Sequence, residues 1–104
     1  MTRTLFVLAL GLTSILVPAA PAYAQDAQAQ ALGRALFEDG VALAKDGKWA
    51  EACPKFEASL KHLPGIGTRG KLAECYEKLG RFATAWALWR EVAQLSMRAG
   101  EPTE

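Results

Sequence analysis

A 33-residue internal repeat limits this chain more than any other feature of its 104 residues. Gly47-Lys48-Trp49-Ala50-Glu51-Ala52, followed by Phe56, returns as Gly80-Arg81-Phe82-Ala83-Thr84-Ala85, followed by Trp89. In each copy a glycine interrupts a helical pattern, an aromatic stands two residues on, an alanine follows three later, and a large aromatic lies four beyond that. A period of about 33 to 34 with this internal order predicts a repeated helix-turn-helix unit. Each unit has an apolar face that its neighbour buries, so the copies are expected to stack.

Hydrophobic spacing places the helices. Leu32, Leu36, Gly40 and Leu43 form one helical stripe with Phe37, Val41 and Ala44 beside it, which predicts helix 1 over residues 27–46, stopped at Asp46-Gly47. Helix 2 is expected over residues 49–61, with Ala52, Phe56, Ser59, Leu60 and Leu63 on its apolar face and Pro54 tolerated near its start. Pro64-Gly65-Ile66-Gly67 reads as a turn, with Ile66 available to plug the gap between helices. Helix 3 is placed at residues 68–79 and helix 4 at residues 82–98, the latter carrying Ala85, Trp86, Trp89, Val92, Ala93 and Leu95. No stretch alternates with period two for long enough to argue for a strand. The expected class is all-α, with two antiparallel helix-turn-helix repeats, four helices, wound as a short right-handed solenoid.

Residues 1–24 read as a leader. Arg3 supplies a positive charge, residues 5–17 are mostly apolar, Pro18 breaks the run, and Ala22-Tyr23-Ala24 is a small-x-small cleavage pattern. The apolar run is shorter than the ~20 residues of a membrane-spanning helix, so an exported product without a membrane anchor is expected, cut between Ala24 and Gln25. The remaining domain is residues 25–104, with repeats at about 33–66 and 67–98. The chain has 12 basic and 11 acidic residues; without Arg3 the two signs balance, so the charge expected of a nucleic-acid binder is missing.

The order Gly40, Gly47, Trp49, Ala52, Phe56, Pro64 in the first copy, and Leu72, Ala73, Tyr76, Gly80, Phe82, Ala85, Trp89 in the second, resembles the tetratricopeptide repeat over residues 33–98. Asp39 stands where that pattern usually has leucine, Ser59 where it has alanine, and Arg69 where it has a bulky residue; the second copy lacks the closing proline. Small residues at Gly40, Ala52, Ala73 and Ala85 would let paired helices approach, and Phe56, Tyr76 and Trp89 would fill the space between pairs. A narrower likeness, through Glu51-Ala52-Cys53-Pro54-Lys55-Phe56 and Leu72-Ala73-Glu74-Cys75-Tyr76, is to exported bacterial repeat proteins in which such a pair often continues into a β-rich domain. The resemblance leaves open a minimal version and a truncated one.

The resemblance implies a concave groove lined by the first helix of each pair: Arg34, Phe37, Glu38, Val41 and Lys45 from helix 1, and Lys71, Glu74 and Lys78 from helix 3. It would hold an extended or helical peptide; equally, Phe37 and Val41 could pack under the N-terminal turn. Glu74 and Lys78, four residues apart, are expected to pair on an exposed helix. On helix 4, Trp86, Ala93 and Met97 are expected to face an open end of the stack that favours self-association or a bound partner, with Trp89 and Val92 facing inward.

Catalytic chemistry is not signalled. His62 is the single histidine, no nucleophile-base pair stands out, and Gly65-x-Gly67-x-x-Gly70 follows a helix rather than a strand, so it is not read as a nucleotide loop. No cofactor is expected. Cys53 and Cys75 are placed early in helix 2 and midway along helix 3, neighbours in a stack, so a disulfide between them is expected, with two buried thiols as the alternative. A redox or metal-handling role for these two cysteines is the rival to a non-catalytic, protein-binding scaffold, although their spacing is unlike a reactive C-x-x-C.

Overall fold

The computed structural model describes residue 11, residues 14–16 and residues 22–100. The apolar run of the leader falls largely on residues outside this set. The described chain forms four helices, α1 (Ala22–Lys45), α2 (Trp49–His62), α3 (Ile66–Lys78) and α4 (Phe82–Ala99), and no strand among the described residues. Each helix packs on the next in sequence. No helix among the described residues is long and apolar enough to cross a membrane.

The two turns that close the pairs are copies of one another. Gly47 and Gly80 both take left-handed backbone, at φ 73° and 74°, a conformation open to glycine because it has no Cβ to clash. The Lys48 amide donates to the Leu43 carbonyl at 2.9 Å, and the Arg81 amide to the Tyr76 carbonyl at 2.8 Å. Lys48 and Arg81 precede α2 and α4 with nearly the same backbone angles, φ −87° and ψ 61° against φ −89° and ψ 66°. A shift of 33 residues therefore maps α1–α2 onto α3–α4 in backbone as well as in sequence.

The core is centred on α2 and α3, with α1 and the start of α4 packed against it. Ala52, Cys53, Phe56, Leu72, Cys75, Tyr76 and Ala85 are buried together. Close approach of α1 and α2 depends on glycine: a Cβ at Gly40 would lie 2.7 Å from the Phe56 ring, and one at Gly33 would fall on the Leu63 side chain. Ser59 is buried at the same contact, where its hydroxyl donates to the Gly33 carbonyl at 2.7 Å, so the polar group placed among apolar neighbours is satisfied. Cys53 and Cys75 are joined in a disulfide across α2 and α3, with their Cα atoms 5.7 Å apart and both side chains buried.

Three expectations are corrected. Helix α1 begins at Ala22, five residues before the expected start, because Ala22-Tyr23-Ala24 and the alanine-glutamine run after it continue one helix. Ile66 opens α3 instead of filling a turn; the chain needs only Leu63, Pro64 and Gly65 to pass between α2 and α3. Trp89 turns toward α3 but stays 40% exposed, more than an inward-facing residue of the repeat is expected to be, whereas its counterpart Phe56 is fully buried. The difference has a geometrical cause: Phe56 is enclosed between α1, at Gly40, and the residues of α3 in the core, while Trp89 has α3, at Gly70, on one side and no further described helix on the other.

Candidate functional site

An apolar recess opens between α1 and α3, with α2 as its floor. Val41, Ala44 and Lys45 line one wall, Lys71 and Glu74 the other, and Trp49 and Phe56 the base, around a volume of about 240 Å³. The walls follow from the helix order: α2 packs on both α1 and α3, so these two helices flank it and leave a cleft between them. The floor is aromatic because Phe56 is held by Phe37, ring centroids 5.7 Å apart, and Trp49 opens α2 with its ring half-buried.

Charge at the rim is mostly positive. Lys71 and Glu74 pair at 3.4 Å with both side chains substantially exposed, so that contact contributes little to stability. Glu74 was expected to pair with Lys78; Lys78 instead holds its ammonium 5.8 Å from the centre of the Trp49 ring, a distance at which the ring face attracts a cation. Lys45 has no ion-pair partner among the described residues.

Of the eight groove residues read from the sequence, Val41, Lys45, Lys71 and Glu74 meet at this recess. Lys78 reaches its edge through Trp49, and Phe37 lies behind it against Phe56, half-buried. Arg34 and Glu38 are exposed on α1 and do not line it. The sequence reading missed Ala44, Trp49 and Phe56 as lining residues. Trp49 and Phe56 stand at positions of the repeat pattern, and a floor shared by core and cleft leaves no separate signal there.

Between α3 and α4, Arg69 and Glu91 form an ion pair at 3.6 Å beside a polar hollow that Gln94, Leu95 and Arg98 complete. The open face of α4 carries Phe82, Trp86, Ala93 and Met97, all exposed, with the Arg90 guanidinium 4.8 Å from the centre of the Trp86 ring. Val92 is half-buried against the rest of the chain. Trp89 lies over Gly70, where a Cβ would be 3.6 Å from the indole, and its ring N–H donates to Glu77.

The sulfurs of Cys53 and Cys75 are bonded to each other, so in this state neither offers a thiolate for metal binding or nucleophilic attack. Among the described residues no three histidine, cysteine or acidic side chains come together as a metal site. Comparison of the chain with family models, with curated proteins and with solved structures finds no match.

Proposed function

We propose that this chain is an exported, non-catalytic protein-binding scaffold of the tetratricopeptide type, which holds a peptide segment of its partner in the recess between α1 and α3. The observation that carries the reading is the composition of that recess: an aromatic floor of Trp49 and Phe56, an aliphatic wall at Val41 and Ala44, and a rim of Lys45, Lys71 and Lys78 against the single carboxylate Glu74. Apolar surface at the base supplies affinity by leaving water, and the lysines favour a segment with acidic side chains. Export is supported by the leader pattern of residues 1–24 and by the buried disulfide, a bond that persists in oxidising compartments.

Selection of a random twelve-residue peptide library displayed on phage tests the reading. Enriched peptides should carry an apolar anchor flanked by acidic residues, and Lys45→Ala with Lys71→Ala should weaken their binding at least tenfold while the helical circular dichroism is unchanged. Enriched peptides that bind the double variant as well as the parent would place the binding elsewhere.

A further inference from the structure

The Cys53–Cys75 bond records how the second helix of one pair meets the first helix of the next: antiparallel, with Cα atoms 5.7 Å apart at that level. Moving 33 residues forward from Cys53 reaches Trp86 on α4, and moving 33 back from Cys75 reaches Ala42 on α1. Both counterparts are exposed, and the one group stacked on Trp86 in the contacts of the described residues is the Arg90 guanidinium of its own helix, 4.8 Å from the ring centre. The largest side chain in the sequence thus occupies one half of an unused packing position, and an alanine the other half.

We propose that copies of this chain stack head to tail, α4 of one copy on α1 of the next, in the register that the disulfide fixes inside each copy. Trp86 then lies at Ala42 of the next copy, and Ala93 lies at Ala35 two turns further along α4. Met97 reaches Ala31 and Leu32 in the same register, and all these residues are exposed in the single chain. Charge matches as well as size. Arg90 is the cation on the open face of α4, and Glu38 and Asp39 of the next copy stand opposite it; none of the three has an ion-pair partner among the described residues. Asp39 stands where the repeat pattern has leucine, and an acid at that position suits a surface that meets Arg90. The two surfaces differ from one another, so the contact is heterologous and does not close on itself as a two-fold dimer does. Each added copy presents a fresh α4 to a further copy. The stacking is independent of whether the recess between α1 and α3 holds a peptide.

The test is a cross-link placed by the same register. The full chain, as recovered from its host after any processing, carries Trp86→Cys and Ala42→Cys together and is oxidised with glutathione disulfide. A ladder of species extending beyond the dimer is expected on a non-reducing gel, collapsing on reduction, with peptide mapping showing 42–86 links between chains and the 53–75 link retained. Either single variant should give no species beyond the dimer. For the parent chain, sedimentation should show mass rising with concentration; Arg90→Asp should weaken association about tenfold, and Arg90→Asp with Asp39→Arg should restore it in part. A parent chain that stays monomeric at about 1 mM overturns the proposal, because even a weak specific contact is populated there. A double-cysteine variant that stops at a dimer linked 86–86 overturns the head-to-tail register.

Discussion

The hydroxyl of Ser59 and the carbonyl of Gly33 are hydrogen-bonded at 2.7 Å inside the contact between α1 and α2. A serine at a position of close helix approach is thereby turned from a buried polar liability into a tie between two backbones. Ser59→Ala keeps the volume and loses the bond, so it should cost about 1 kcal/mol, measured as a lower midpoint in urea denaturation. Ser59→Val adds bulk against Gly33 and should cost more than the alanine, by about 1–3 kcal/mol of overpacking.

Glycines in the helices should respond in opposite directions. Gly40→Ala forces a methyl to within 2.7 Å of the fully buried Phe56 ring and should destabilise, although alanine is the better helix former. Gly67→Ala, in α3 with nothing near its Cβ position, should stabilise by about 0.5 kcal/mol. Thermal melts of the two variants beside the parent check the sign; a Gly40→Ala protein as stable as the parent would contradict the close packing.

Reducing the disulfide should loosen the whole stack. The bond closes a separation of 22 residues, and releasing it should cost about 3 kcal/mol through the greater freedom of the unfolded chain. Denaturation with and without dithiothreitol measures this, and Cys53→Ala with Cys75→Ala should reproduce the reduced curve. Dithiothreitol should leave the curve of the alanine protein unchanged, which serves as the control.

Processing of the leader is checked by intact mass. Protein recovered from outside the cytoplasm is expected to begin at Gln25, three residues inside α1. Among the described residues that the cut removes, Tyr23 is 76% exposed. Retention of Met1 would refute the reading, and Ala24→Leu should block the cut.

The middle of the fold was legible because its signals are local and agree. Gly47 and Gly80 stop helices, Trp49 and Phe82 start them, and the observed α2 and α4 begin where the repeat places them. The disulfide followed from two cysteines on successive helices that have to pack. The start of α1 was not legible, since the small residues of a cleavage pattern are also good helix formers and the same letters serve both readings. Trp89 was misjudged for a different reason: a repeat predicts what a residue faces, and burial depends on whether something occupies that place. The recess was half legible. Its charged rim lies at regular helix positions, while its floor is made of residues that the core also claims.

Phe37 and Phe56 touch in the first pair, whereas the second pair has Gly70 and Trp89 at the same two places. The larger ring sits where its neighbour has been reduced to a hydrogen. Bulk is distributed differently across the contact in the two pairs, so their parts are not mutually transferable. Placing a phenylalanine at 70 would drive it into the indole of Trp89, and placing a glycine at 37 would leave a hollow behind Phe56. A longer array built from this chain would have to duplicate complete pairs, keeping each aromatic with the partner that makes room for it.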